Sequence, residues 1–122
     1  MALSNARLKA ALDAGLSTTT HIGWSENGTT ETAKVARTAA TFAAASTADP
    51  SVAQLSAAIE SAGASSGGTI THRAGFDAST DGNQTTTWVP LSSPVVLGAG
   101  GKITMAAADC TESLDADDTY GS

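Results

Sequence analysis

Between Gly68 and Asp77 polar and apolar positions alternate. Ile70, His72, Ala74 and Phe76 fall on one side, and Thr69, Thr71, Arg73, Gly75 and Asp77 on the other. Successive side chains of a strand point to opposite faces of a sheet. This period of two therefore predicts a half-buried strand over 69–77, against which the rest of the chain packs. An earlier stretch, Thr20-His21-Ile22-Gly23-Trp24, echoes it and predicts a first strand over 18–25. Asn27-Gly28 follows, a turn signal because both residues tolerate positive φ. Thr29 to Phe42 then reads as a returning strand in which Val35 and Phe42 are the only large apolar residues.

Two segments carry helical spacing instead. Over 3–14, Leu8, Ala11 and Leu12 form an i, i+3, i+4 stripe, with Ser4 or Asn5 placed to cap the start and Gly15 the end. A helix this short is marginal alone, so its Leu stripe must dock. It docks either on its own sheet or, as an arm spanning 1–16, on a neighbouring subunit. Over 49–62, Asp49 and Pro50 suit a helix start, Gly63 suits its end, and Val52, Leu55, Ile59 and Ala62 mark one face. This predicts a second helix inserted among the strands.

The remainder reads as strands and turns. A flexible connector covers 63–68, and a polar turn centred on Asp81-Gly82 covers 77–84. Thr85 to Leu91 is rich in β-formers, and Pro90 and Pro94 place it along a sheet edge because proline donates no ladder hydrogen bond. Val95-Val96-Leu97 extends it. After a glycine turn, Lys102 to Ala106 forms the last strand, with Ile103 and Met105 facing inward. The acidic stretch 109–122 reads as a mobile tail. The fold class expected is mainly β: a single domain over 1–122, built as a small antiparallel β-sandwich of about five or six strands with a short N-terminal helix and one inserted helix.

Composition narrows the function. The chain is 41% hydrophobic, but only 4% of it is aromatic and Ala supplies much of the rest. Apolar burial contributes about 25 cal/mol per Å², so small side chains make a weak core, and association is expected to supply part of the stability. A net charge of −6 with six basic residues, none adjacent, argues against nucleic-acid binding. Cys110 is the only cysteine, so no internal disulfide forms. No apolar run approaches the roughly 20 residues of a membrane helix. The N-terminus lacks the apolar core of a signal peptide, so folding in a cytoplasm is expected.

No catalytic constellation emerges. His21 and His72, with Asp77 or Asp109, lack metal-ligand spacing and lie beside apolar neighbours. Asp109, Glu112, Asp115, Asp117 and Asp118 lack the register and glycine of a calcium loop. Cys110 has no base nearby in sequence, and Ser25, Ser65 and Ser66 lie outside any nucleophile elbow. Gly98-Ala99-Gly100-Gly101 opens no helix, so it does not read as a phosphate cradle. Trp24, Phe76 and Trp88 suit either a core or a sugar groove. The expectation is a protein that is not an enzyme, with no cofactor and no metal.

Several of these motifs recur in one order: Met1-Ala2-Leu3-Ser4-Asn5 before a short helix, Thr20-His21-Ile22-Gly23-Trp24-Ser25, Val35-Ala36-Arg37-Thr38-Ala39-Ala40-Thr41-Phe42, Gly68 to Asp77, and Gly101-Lys102-Ile103-Thr104. In that order the chain resembles small virion proteins of tailed bacteriophages, the head decoration, minor capsid and tail-fibre-type proteins. The resemblance implies a β-sandwich made in the host bacterial cytoplasm and assembled on the virion, most simply on the capsid exterior. The partners expected are the phage major capsid protein and further copies of the chain, as a homotrimer, with no nucleic acid and no membrane. Interface candidates are Leu3, Leu8 and Leu12 on the N-terminal arm, and Thr85, Thr87 and Val89 on an exposed β edge. A tail component and a carbohydrate-binding module using Trp24 and Trp88 are the alternatives.

Overall fold

The computed structural model describes residues 4–116. Strand accounts for 35% and helix for 13%, which makes the fold mainly β. In chain order the elements are α1 (Asn5–Leu16), β1 (His21–Ser25), β2 (Thr38–Ala39), β3 (Ser51–Gln54), β4 (Ile59–Glu60), β5 (Gly68–Phe76), β6 (Val89–Leu97), β7 (Thr104–Met105) and β8 (Thr111–Leu114), with a 3-10 turn at Ala107–Asp109. All pairings between strands are antiparallel. Four strands form a sheet in the order β2-β1-β5-β6, and two ribbons, β3-β8 and β4-β7, complete the structure.

The alternating stretch is the central strand, β5, which pairs with β1 on one side and β6 on the other. Its pattern is not polar-out, however. Register pairs Trp24 with Arg73 and Ile22 with Gly75, so these four share one face; Gly23 with Ala74, His21 with Phe76 and Ser25 with His72 share the other. Both faces are covered at this end, and Arg73 and Gly75, expected on the solvent side, are buried.

The second face is closed by the loop 26–37, where a long returning strand was expected. Only Thr38–Ala39 pairs with β1. The loop has its own hydrogen-bond economy. Asn27 Oδ1 accepts from the backbone N–H of Thr29 and of Thr30, both at 2.9 Å, and Ser25 Oγ accepts from the N–H of Asn27 at 3.1 Å and of Gly28 at 2.9 Å. Gly28 takes φ +78°, as the Asn-Gly turn requires, and lies against the His72 ring. Arg37 then closes the loop down. Its guanidinium lies 3.8 Å from the Phe76 ring centroid and forks onto Glu31, with N···O distances of 2.8 and 2.9 Å. It also donates to the carbonyls of Ala78 at 3.0 Å and Asp81 at 2.6 Å. Beneath it, a Cβ at Gly23 would overlap the Phe76 ring, so glycine is what allows the ring to lie there.

The predicted helix over 49–62 does not form. The segment contains β3 and β4 instead, and the Asp49-Pro50 peptide is cis. Ser51, Ala53 and Leu55 are buried while Val52 is exposed, so the operative period is two, written in small residues that a search for large apolar side chains overlooks. The partner of β3 is β8, in register from Ser51–Leu114 to Gln54–Thr111. The acidic tail therefore needs correcting too: over 109–116 the chain is structured, with β8 at its centre and Cys110 fully buried. Asp117 and Asp118 lie outside the described residues. The first helix forms as expected from Ser4, whose Oγ accepts from the Arg7 N–H at 3.3 Å. It runs through Gly15 to Leu16 and ends at Ser17.

One core unites Ile22, Trp24, Val35, Leu55, Ile70, Ile103, Met105 and Cys110; a second joins Leu12 and Leu16 of α1 to Ala45 and Ala53. Accessible surface is 6314 Å². A folded monomer of this mass exposes ~6,000 Å², so a core rich in small residues still closes.

Candidate functional site

Three of the predicted interface residues line an open groove of about 290 Å³ between α1, the segment 85–87 and β8. Leu12 and Leu16 of α1, Thr85, Thr86 and Thr87, and Glu112, Ser113 and Leu114 of β8 line it. Its volume is at the low end for ligand pockets (~300–1,000 Å³), which suits side chains better than a large small molecule.

Each of the three lining segments is held by a separate device. Asp13 Oδ1 accepts from the Ala45 N–H at 2.8 Å while its other oxygen pairs with Lys9, also at 2.8 Å, so α1 is tethered to the chain beside β3. The Lys9 hydrogen bond, aided by the Ala45 N–H, lowers the pKa of Asp13. Thr85 Oγ1 meets Thr19 Oγ1 at 2.6 Å, and the Thr85 N–H donates to the Gly75 carbonyl at 2.7 Å. The Gly75 N–H donates in turn to Thr86 Oγ1 at 2.7 Å. On β8, Arg73 Nη1 lies 3.3 Å from Glu112 Oε1, and Arg73 Nη2 donates to the Thr111 carbonyl at 2.9 Å. Burial raises the Glu112 pKa above the ordinary 4.5, and Arg73 partly offsets that rise.

Of the six interface candidates, the structure brings Leu12, Thr85 and Thr87 to this groove. Leu3 lies outside the described residues. Leu8 is 0% exposed and Leu12 9%, so the arm is docked on its own fold, and Leu8 is not available to a neighbour. Val89 pairs with Arg73 at the start of β6 and stands away from the groove. The edge strand runs over Val89–Leu97 rather than 85–91, with Pro90 and Pro94 inside it. The segment 85–87 is its approach.

The remaining candidates lead elsewhere. Trp24 is 0% exposed and its Nε1–H donates to Thr38 Oγ1 at 3.3 Å, which removes it from any sugar platform. Trp88 meets Phe76 edge-on at 5.9 Å. Among the described residues no three His, Cys, Asp or Glu side chains converge to hold a metal. No helix among them is long and apolar enough to cross a membrane. Burial pushes the Cys110 thiol up to about 11, with Arg73 lowering and Glu112 raising it more weakly. Cys110 should therefore stay unreactive toward Ellman's reagent at neutral pH until the chain is unfolded; stoichiometric labelling of the native protein would contradict its placement.

Sequence reasoning missed the Arg73–Glu112 pair. Arg73 reads as part of a solvent face and Glu112 as part of a tail, and the only available signal is a single arginine inside a strand that holds no other Lys, Arg, Asp or Glu. No protein-family model, curated protein or solved structure matches this chain.

Proposed function

We propose that this chain is a bacteriophage capsid decoration protein that binds the assembled shell as a homotrimer and stabilises it. The observation that carries the reading is the groove. It gathers Leu12, Thr85 and Thr87 beside Leu16 and Leu114, and it contains no nucleophile–base pair or metal ligand set among the described residues. Such a site fits protein contact better than chemistry. The order of short motifs along the chain supports the same reading. The mechanism is mass action: a protein that binds only the expanded lattice favours it, by about 2.7 kcal/mol per site when free chain is at a hundredfold excess over its Kd.

The test is the resistance of empty, expanded shells to heating with and without the purified chain. Saturated shells should rupture at a higher temperature. Identical rupture temperatures at saturating chain would reject decoration and favour a tail component. A carbohydrate-binding module is the weaker reading, because Trp24 is enclosed.

A further inference from the structure

The turn that opens the loop 26–37 carries a chemistry that the groove does not use. Asn27-Gly28 forms its tip, and Asn27 is exposed to water. Glycine has no side chain to shield its own N–H, so an Asn-Gly pair leaves the side-chain amide most open to attack by the next backbone nitrogen. In that reaction the Gly28 nitrogen gives its proton to solvent hydroxide and bonds to Asn27 Cγ. The Cγ–Nδ2 bond breaks, and Nδ2 leaves as ammonia after taking up a proton from water. Water then opens the cyclic imide at one carbonyl or the other, giving aspartate or isoaspartate; nothing is oxidised or reduced.

In the native loop both reacting groups are committed elsewhere. The Gly28 N–H donates to Ser25 Oγ at 2.9 Å, and Ser25, 0% exposed, is itself anchored by donating to the Thr30 carbonyl at 2.6 Å. The Asn27 amide is held at both ends: Oδ1 accepts from the N–H groups of Thr29 and Thr30, and Nδ2 donates to Thr30 Oγ1 at 3.1 Å. Ring closure requires the Gly28 nitrogen to leave Ser25 and the Asn27 amide to turn away from residues 29 and 30. Gly28 also lies against the His72 ring of the central strand, which limits any shift of the turn. We propose that Asn27-Gly28 is a spontaneous modification site that the native loop keeps shut: it converts slowly in the folded chain and quickly once the loop opens, and its isoaspartyl product prevents the loop from closing again. An isoaspartyl link puts an extra methylene into the main chain and turns the Asn27 side-chain carbonyl into a main-chain one. The Thr29 and Thr30 N–H groups then lose their acceptor, in a loop that seats Val35 in the core and Arg37 over Phe76. The site is independent of the decoration reading.

Ageing the purified chain in mildly alkaline buffer, with and without denaturing urea, is the direct test. Conversion is read by mass spectrometry on the tryptic peptide that ends at Lys34, in which Asn27 is the only asparagine. The folded chain should convert about tenfold more slowly than the chain in urea, or slower still, because the native reaction waits on local opening of the loop. Equal rates would overturn the proposal. Ser25→Ala, checked as folded by circular dichroism, removes the acceptor of the Gly28 N–H and should convert several-fold faster than wild type in native buffer. A folded Ser25→Ala variant with the wild-type rate would overturn the role of Ser25; if the variant does not fold, the wild-type comparison decides. The fate of the product is read by refolding the urea-aged chain and digesting it briefly with trypsin. Chains with isoaspartate at position 27 should be cut after Lys34 or Arg37, and the resistant fraction should hold only asparagine or aspartate there. Equal isoaspartate in the cut and resistant fractions would show that the loop recloses around it, against the proposal.

Discussion

Changing Leu8 and Leu12 together to Ala is expected to unfold the chain rather than release a soluble, folded monomer. Both side chains are enclosed by their own fold, at 0% and 9% exposure, and Leu12 joins Leu16, Ala45 and Ala53 in the second core. Each Leu→Ala change in such a setting costs about 2–5 kcal/mol, because the lost transfer energy is compounded by the cavity left behind. Small domains have only about 5–15 kcal/mol in total. The two sites are one helical turn apart, so their effects need not add, but the sum is large on either scale. Urea denaturation followed by circular dichroism measures it. A double variant that keeps a wild-type denaturation midpoint would show that α1 is not part of the fold's stability and would return it to the role of an arm.

Removing Arg73 alone should be nearly as damaging. Its side chain is 4% exposed and that of its partner, Glu112, 18%. Arg73→Met leaves a buried carboxylate without its cation and the Thr111 carbonyl without its donor, a loss of about 3–5 kcal/mol. The double variant Arg73→Met, Glu112→Leu removes both charges and should recover most of that loss. The pH dependence has a definite sign. Burial raises the folded-state pKa of Glu112 above 4.5, so its contribution is present below that value and fades as pH rises through the folded pKa. Without Arg73 the rise is larger. The deficit of Arg73→Met relative to wild type should therefore shrink as the pH is lowered and Glu112 takes up its proton. Asp13 and Glu26, lowered first by their hydrogen bonds to Lys9 and Lys34, run the other way in both proteins: their contribution is present above the ordinary value and lost as pH falls through the folded one. A deficit that grows on acidification would contradict the assignment of Glu112.

Where the sequence is legible, large side chains or dedicated turn residues mark the structure. The alternation from Gly68 to Phe76, the cap at Ser4, the Asn27-Gly28 turn and the prolines of an edge strand all stand where their local chemistry requires. What misled was the segment 49–62. Val52, Leu55 and Ile59 fit a helical stripe, but the burial is carried by Ser51 and Ala53, on a strand whose partner begins more than fifty residues later, and by Leu55 just beyond it. The same long-range pairing turned a presumed acidic tail into β8. Of the groove, Leu12, Thr85 and Thr87 were legible individually. That they meet was not, because the meeting depends on β8 and on Thr85 being pinned to Thr19 and Gly75. The buried Arg73–Glu112 pair was illegible for the same reason: each residue reads as solvated until its partner strand is placed.

Decoration of a shell is tested most directly by measuring the molar mass of the purified chain by light scattering and then its co-sedimentation with empty, expanded shells of the cognate phage. A stable trimer that saturates the shells at a fixed stoichiometry is the expected result. A monomer that stays in the supernatant at every concentration would contradict decoration.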